Sequence, residues 1–161
     1  MEARHLALLP QRIRAIQERL LLFYTGLQRP AHEILEEQIE RTEKGDVDRQ
    51  LEAPACLGPR GIRILCESDD LSEFGSLLHE NWKLKRDLSR AITNRAIDGY
   101  YDAARKAGAI GGKLCGAGGG GFILLYVEPY NREKVRRALG NLLEVQFSFE
   151  NEGSTIIFYR P

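Results

Sequence analysis

The chain has 161 residues, the length of one domain with a sizeable hydrophobic core. Its hydrophobic fraction of 43% and charged fraction of 29% are ordinary for a globular protein and do not indicate a disordered or fibrous chain, and its net charge of zero gives no sign of the strongly basic surface typical of nucleic-acid binding. No apolar run approaches the roughly 18 residues of a membrane span, the N-terminus lacks a signal-peptide pattern, and the three cysteines have neither disulfide nor zinc spacing. We therefore expect a cytoplasmic protein without a membrane segment.

The first third of the chain predicts a strand and a helix. Residues 1–19 are interpreted as a helical lead-in or an interdomain connection. Leu20–Tyr24 is an apolar run with aromatic character, ended by Thr25 and Gly26, so it predicts a buried strand. Residues 30–45 predict an amphipathic helix with a proline in its first turn and a glycine at its end. Residues 45–63 are polar and contain several prolines and glycines, which predict a loop with at most a short helix.

Two helices are predicted in succession in the middle of the chain. The first begins at Asp70, where Glu73 supplies a capping-box partner, and its apolar stripe runs through Trp82 to Ile92. The second covers residues 95–107, with Thr93 and Asn94 as N-cap candidates and a glycine after its end.

The last third of the chain predicts more strands. Phe122–Val127 is a continuous β-type run, and residues 132–139 predict a short helix capped by Asn131. The alternation in residues 145–149 and the run 155–159, with a turn at 151–153, predict a hairpin. These elements predict an α+β fold in which an antiparallel sheet packs against helices.

Glycine is concentrated just before the strand at residue 122. Eight of the 16 glycines fall between Gly108 and Gly121, and Lys113 lies among them. The letters G-x-G-x-x-G occur, but a strand follows them instead of the helix that a dinucleotide site needs. The P-loop pattern also fails, because Leu114 follows the lysine where a hydroxyl residue would bind Mg²⁺. Two interpretations remain open: a backbone nest for phosphate oxygens, or a hairpin corner that lets backbones pack closely.

Other chemically active side chains predict no further site. His79 and Glu80 lack the second histidine of a metalloprotease helix, because Lys83 stands in its place, so His79 is interpreted as a helix-surface residue. Cys115 has no histidine nearby in sequence, and a packing role is the simpler interpretation. Trp82 belongs to the apolar stripe and is predicted to lie in the core.

Residues 113–122 resemble the third motif of the GHMP kinases, which has the form K-x-x-G-A-G-G-G-G. Residues 21–29, 79–89 and 108–114 resemble the heptose 7-phosphate kinases of that superfamily, so the likeness covers the chain from about Leu20 onward. It implies that residues 1–161 form a ferredoxin-like C-terminal domain. The ATP-binding loop of the family, P-x-x-x-G-L-G-S-S-A, belongs to an N-terminal domain and does not occur in this sequence.

The resemblance also implies a reaction and a set of site residues. The reaction is phosphoryl transfer from ATP to the C1 hydroxyl of a heptose 7-phosphate, with ATP and Mg²⁺ bound mainly by the N-terminal domain. The implied phosphate or nucleotide loop consists of Lys113, Gly116, Ala117, Gly118, Gly119 and Gly120. The candidates for holding the substrate's existing phosphate are Arg29, Lys83, Lys85, Arg86 and Ser89. No catalytic residue and no metal ligand is assigned within this chain, which is expected to be inactive alone.

Several alternatives stay open. Each basic candidate could simply belong to a solvated helix face, paired with neighbours such as Glu80 or Asp87. The acceptor could be fucose, galactose or mevalonate instead of a heptose phosphate. A non-catalytic small-molecule-binding or regulatory module, or a structural partner domain, would use the same α+β architecture. The expected partners are the N-terminal kinase domain and a sugar phosphate, and a homodimer is left open.

Overall fold

The computed structural model describes residues 6–27, 48–88, 92–116, 119–150 and 158. The elements in chain order are α1 (Pro10–Gln17), β1 (Leu20–Tyr24), α2 (Asp48–Glu67), α3 (Ser72–Leu88), α4 (Arg95–Lys106), β2 (Ala109–Cys115), β3 (Phe122–Val127), a 3₁₀ turn (Pro129–Asn131), α5 (Arg132–Ala138) and β4 (Leu143–Glu144). No helix in these ranges is both long and apolar enough to cross a bilayer.

The four strands form one antiparallel sheet in the order β2-β3-β1-β4. Helices connect β1 to β2 and β3 to β4, while β2 and β3 are joined directly by the glycine-rich segment. This connection pattern and strand order are those of a ferredoxin-like fold. The predicted α+β class is therefore confirmed, and so are the strands at 20–24 and 122–127.

Alternation along the central strands divides the core between the two faces of the sheet. One face buries Leu21, Phe23 and Leu125 with residues of α4 and α5 such as Ile97 and Val135. This larger cluster also contains Trp82 of α3, which is 1% exposed, so its predicted core position is confirmed. Through Trp82, this cluster fixes the position of α3 relative to the sheet.

The opposite face carries a second and smaller core. Leu20 and Tyr126 pack there with Ile16 of α1, with Leu71 just before α3, and with Leu78 in the first half of α3. The covering elements lie over the end of the sheet that holds Leu20. At the other end of this face, around Tyr24 and Phe122, the side chains are only partly buried or exposed.

Helix α3 lies unusually close to the edge strand β2 because both contribute glycine at the contact. A Cβ atom on Gly111 would be 1.9 Å from the carbonyl oxygen of Gly75 and 2.9 Å from the backbone nitrogen of His79. A Cβ atom on Gly75 would lie 2.6 Å from the ring of Tyr126. Only hydrogen fits at these two positions, so the glycines set the spacing between helix and sheet.

The loop predicted for residues 45–63 is wrong over most of its length, because residues 48–67 form helix α2. Leu57 and Ile64 are buried there against Leu77 of α3. Gly61 lies in the same contact, since its Cβ would be 3.3 Å from the Leu77 side chain. Burial of this apolar face outweighs the low helix propensity of proline and glycine, which is a weak local preference.

Helix α1 is joined to the end of α2 through one guanidinium group. The side chain of Arg12 donates hydrogen bonds to the carbonyl oxygens of Leu65 and Ile64, at 2.9 and 2.8 Å, and to that of Ser68. The Ile64 and Leu65 carbonyls belong to the last turn of α2 and that of Ser68 directly follows it, and the Ile64 carbonyl also accepts from the Ser68 N–H at 3.3 Å. Residues 10–17 thus pack as part of this fold, as the burial of Ile16 also indicates.

Three further expectations differ from the structure. Asn131 does not cap α5 with its side chain, because a 3₁₀ turn precedes the helix and the side-chain oxygen instead accepts from Lys134. Residues 109–115 form strand β2, which glycine content had concealed. The strand predicted at 145–149 is replaced by β4, after which the Val145 N–H donates to the Leu22 carbonyl. The predicted helix at 30–45 and the return strand at 155–159 fall largely outside the described residues.

Candidate functional site

The glycine-rich segment is a connection between two neighbouring strands. Residues 116–121 join β2 to β3, and Lys113 lies within β2, paired with Leu124. Gly116, Gly119 and Gly121 have φ values of 89°, 73° and 90°, a region that side chains other than glycine's rarely adopt. Of the predicted loop residues, Ala117 and Gly118 lie outside the described part of the chain. The hairpin-corner interpretation is therefore correct for the chain path.

Two N–H groups of this loop donate to the protein's own backbone. The Gly119 N–H donates to the carbonyl of Ile92 at 2.8 Å, and the Gly121 N–H donates to that of Leu27 at 2.9 Å. In return, the Gly121 carbonyl accepts from both the N–H and the hydroxyl of Thr25, at 2.8 and 2.9 Å. These two N–H groups are therefore not available to a phosphate nest in this conformation.

Close packing also explains a glycine that has an ordinary φ. A Cβ atom on Gly120 would lie 2.3 Å from the carbonyl oxygen of Leu27. On the other side of the loop, the Gly119 carbonyl accepts from the side-chain amide of Asn94 at 3.2 Å, and that residue also caps α4 by accepting from two backbone N–H groups. The loop thus holds the segment after β1 and the segment before α4 at one end of the sheet.

Two lysines lie beside the loop. The Nζ atom of Lys85, in the last turns of α3, donates to the Gly116 carbonyl at 2.7 Å. Burial lowers the pKa of Lys85, and the positive charge of Lys113 lowers it further, while Cys115 acts in the opposite direction. Both lysines are partly buried, and no carboxylate among the described residues forms an ion pair with either. The structure therefore brings together two of the predicted basic residues as neighbouring cations.

The other basic candidates lie apart from this pair. Arg86 forms an ion pair with Asp98 of α4 at 3.2 Å, and the same carboxylate accepts from the hydroxyl of Thr93. Lys83 is exposed and acts electrostatically on His79, one helical turn away. Arg29 and Ser89 lie outside the described residues, two positions after Leu27 and three before Ile92 in sequence.

His79 is half-buried instead of lying on the helix surface. Its Nδ1 atom is 2.7 Å from the hydroxyl oxygen of Tyr101, and the two rings stack with their centroids 5.9 Å apart. Burial lowers the pKa of His79, and the nearby positive charge of Arg105 adds to the effect. Burial likewise raises the pKa of Tyr101 to about 12. This pair joins α3 to α4 and lies among core residues, so it has a structural role.

Next to the lysines, the sheet presents a row of partly exposed side chains. Directly paired residues on antiparallel strands point to the same face. Leu143 pairs with Tyr24, Tyr24 with Phe122, and Phe122 with Cys115, so all four share one face at the loop end of the sheet. Lys113 belongs to the same face, two residues before Cys115. The rings of Tyr24 and Phe122 are 5.2 Å apart, and Phe122 is 38% exposed.

The aromatic pair Tyr24 and Phe122 and the residues that hold the loop are not predicted from the sequence. Tyr24 and Phe122 are predicted only as strand residues, and their position on one face depends on the register between β1 and β3, which the period of each strand does not give. The roles of Thr25 and Leu27 depend on contacts about 95 residues away in sequence, for which the letters carry no signal. Within the described ranges no cluster of three or more histidine, cysteine, aspartate or glutamate residues could hold a metal ion. Among the described residues the site therefore contains two neighbouring lysines but no group of three or more such ligands.

Comparison with known proteins agrees with this architecture. Residues 62–145, just over half of the chain, match the family described as GHMP kinases C terminal. The D-glycero-alpha-D-manno-heptose 7-phosphate kinase of Campylobacter jejuni is 31% identical over 144 residues, which cover 86% of this chain and 41% of that protein. The bifunctional fucokinase/GDP-fucose pyrophosphorylase of Arabidopsis thaliana is 31% identical over 132 residues, covering 80% and 12%.

Solved structures share the fold at lower identity. L. major mevalonate kinase in complex with R-mevalonate superposes with a TM-score of 0.68 at 21% identity, over 76% of this chain and 37% of that one. A D-glycero-D-manno-heptose 1-phosphate kinase from Bacteroides thetaiotaomicron gives 0.55 at 22% identity, over 91% and 37%. The chain spans less than half the length of each of these relatives. By its sequence match and its fold, this chain belongs to the GHMP kinase family, of which it represents the C-terminal part.

Proposed function

We propose that residues 1–161 form the C-terminal domain of an ATP-dependent sugar kinase that phosphorylates a heptose 7-phosphate on its C1 hydroxyl. The observation that carries the proposal is the glycine loop, held at one end of the sheet beside two partly buried lysines in a chain of the GHMP kinase family. The Campylobacter relative, a heptose 7-phosphate kinase, favours this acceptor. Phosphoryl transfer depends mainly on positioning and charge stabilisation, which such a domain can supply.

The glycine loop acts mainly as a structural support for the other domain. Of its predicted residues, the structure describes Gly116, Gly119 and Gly120. Its N–H groups at Gly119 and Gly121 are donated inward, so the loop is fixed before any ligand arrives. A fixed loop can support the ATP-binding loop of the N-terminal domain from the opposite side of the cleft. Ala117 and Gly118 complete the loop in this proposal.

The substrate's phosphate is held by basic residues of the same domain. Lys85 and Lys113 are the cations that lie beside the loop, whereas Arg86 shares its charge with Asp98. Arg29 and Ser89 remain proposed contacts, two positions after Leu27 and three before Ile92 in sequence. Lys83, exposed near His79, is the weakest of these candidates.

ATP and Mg²⁺ are bound mainly by the N-terminal domain in this proposal. ATP supplies the transferred phosphoryl group, and Mg²⁺ neutralises charge on the phosphates. The chain alone is then inactive, and the complete enzyme is expected in the cytoplasm.

The test is a kinase assay on the chain combined with an N-terminal ATP-loop domain of the same superfamily. With heptose 7-phosphate and ATP·Mg, we expect formation of the 1,7-bisphosphate. Gly120→Ala should lower turnover on the order of 10- to 100-fold, because the added methyl would displace the loop from Leu27. Gly99→Ala is the matched control, since nothing lies within 4 Å of its Cβ position. Wild-type turnover in Gly120→Ala would refute the bracing role.

Fucose is the second candidate acceptor, favoured by the likeness to the Arabidopsis fucokinase. Fucose carries no phosphate, so it would leave the two lysines without an anionic partner among the described groups. Parallel assays with fucose and heptose 7-phosphate separate the two acceptors. Turnover of fucose alone would exclude the heptose phosphate. Tight calorimetric binding of an unrelated metabolite, without turnover of any sugar, would instead favour a non-catalytic module.

A further inference from the structure

We propose that Lys85, Lys113 and the Tyr24–Phe122 ring pair form one binding site for a sugar phosphate, with the phosphoryl group between the lysines and the sugar ring on the aromatic surface. The inference rests on the proposed sugar-kinase function and specifies which part of the domain recognises the acceptor. It adds the aromatic pair, to which no role had been assigned.

The two lysines are like charges close together, so a bound anion would stabilise both of them. Lys85 is held in place by the Gly116 carbonyl, which uses one of its three N–H donors and leaves the others for a ligand. Lys113 lies close enough to act on the Lys85 charge, so the like charges repel each other in a partly buried place. A phosphoryl group placed between them would remove this repulsion and accept charge-assisted hydrogen bonds from both.

The aromatic pair lies on the same sheet face, one cross-strand row nearer the loop end. Phe122 pairs directly with Cys115, the residue two positions after Lys113 in β2. Tyr24 extends the row to β1, and the two rings are tilted by 46° with centroids 5.2 Å apart. Such a surface suits the apolar C–H face of a sugar, which packs on aromatic rings while its hydroxyls reach water.

The composition of this face favours a small phosphorylated sugar over the other occupants. A nucleotide phosphate would be expected at the loop N–H groups, but those at Gly119 and Gly121 are donated to carbonyls. A purely apolar protein partner would have to bury two adjacent cations without compensation, which is costly. Phosphate charge at one end and a C–H face at the other match the lysines and the rings in that order.

The test is titration of the 161-residue chain, without ATP, with three probes: heptose 7-phosphate, the unphosphorylated heptose and inorganic phosphate. Lys113→Met should weaken heptose 7-phosphate binding by roughly 10- to 100-fold and leave the unphosphorylated sugar unchanged. Phe122→Leu should weaken both sugars by a similar factor of about 3 and leave inorganic phosphate unchanged. Lys113→Arg, which keeps the charge, should retain most of the binding.

The control is Lys106→Met, since Lys106 is an exposed lysine at the end of α4. All variants are compared by thermal melting, so a loss of fold is distinguished from a loss of binding. The proposal is overturned if Lys113→Met binds heptose 7-phosphate like the wild type, if Phe122→Leu affects inorganic phosphate, or if Lys106→Met has the effect of Lys113→Met. It is also overturned if the wild-type chain binds none of the probes at millimolar concentration.

The binding and kinase assays fail independently. If the combined two-domain protein transfers phosphate to heptose 7-phosphate with an unchanged KM in Lys113→Met, the sugar-kinase function stands and this site is wrong. A raised KM for ATP instead of the sugar would assign the lysines to the nucleotide and would also overturn the site. If the chain binds heptose 7-phosphate through these residues but no transfer occurs, the binding site stands and the proposed function is wrong.

Discussion

Replacing Gly111 by alanine tests whether glycine sets the distance between α3 and the sheet. The added methyl carbon would be 1.9 Å from the Gly75 carbonyl oxygen, and it would lie 2.9 Å from the carbonyl carbon of Gly75 and from the nitrogen of His79. All three atoms are backbone, so no side chain can rotate away. The helix and strand β2 would have to separate by more than about 1 Å to restore an ordinary contact. The separation would also disturb Trp82, which α3 contributes to the core.

The expected cost is at the upper end for an overpacked core, about 3 kcal/mol, because the shift involves a whole helix. For a domain of this size each kcal/mol lowers the melting temperature by roughly 2–4 °C, so Gly111→Ala should melt about 6–12 °C below the wild type. The matched substitution Gly99→Ala should have the opposite sign. Its Cβ would meet nothing within 4 Å, and alanine is favoured over glycine in a helix by about 1 kcal/mol.

The assay is circular dichroism during thermal and urea unfolding of the wild type and the two variants. The urea midpoint should fall for Gly111→Ala and rise slightly for Gly99→Ala, with similar m-values. Equal stability of Gly111→Ala and the wild type would refute the reasoning, since it would mean that helix and strand separate without loss. A loss of stability in Gly99→Ala would show that alanine destabilises for another reason.

Three further substitutions or titrations test the contacts around the loop and the tail. Asn94→Ala should cost about 1 kcal/mol by removing the cap of α4, and it should increase amide hydrogen exchange at Gly119, whose carbonyl the side chain contacts. The C2 proton of His79 should titrate below pH 6.5 in NMR, because burial lowers the pKa of this side chain in the folded protein. As the pH falls, the unfolded chain binds this proton at a higher pH than the folded chain does, so the free energy of unfolding decreases as the pH falls below about 6.5. The hydrogen bond from Arg136 lowers the pKa of Glu144 in the folded protein. This bond therefore stabilises the fold fully at pH values above the pKa of a glutamate in the unfolded chain, and the stabilisation is lost as the pH falls through the Glu144 pKa of the folded protein. Carbon-13 NMR should show that the Glu144 pKa rises again in Arg136→Gln; an unchanged value would contradict this cause.

The sequence patterns were strong wherever local chemistry and burial agree. The apolar runs at Leu20–Tyr24 and Phe122–Val127 form central strands, and of the two predicted cap residues it is Asn94 whose side chain caps α4. Period-four stripes likewise identified α3 and α4. In each case the elements bury the same side chains that produced the pattern, so local preference and tertiary packing favour one structure.

The patterns failed where distant contacts decide the structure. Helix α2 forms across Gly58 and Pro59 because Leu57 and Ile64 find a buried partner in α3. Strand β2 contains Gly111, which indicates loop locally but is required by the backbone of α3. The same limit applies to the site: Lys85 and Lys113 could each be proposed, but their closeness depends on how α3 lies along β2. Their roles stay predictions until binding is measured.

The hydrogen bonds from the Arg12 side chain connect two segments that should unfold locally together. The guanidinium group of Arg12 in α1 donates to carbonyl groups at the end of α2. If either segment detaches, these hydrogen bonds break and their carbonyl acceptors must bind water instead. The two segments should therefore exchange their amide hydrogens as one cooperative unit, distinct from the sheet and α4. In a native-state exchange experiment, Arg12→Met would speed exchange in both segments together while β1 and β3 keep their protection. Helices α1 and α2 would thus open and close together, because the single side chain of Arg12 connects them.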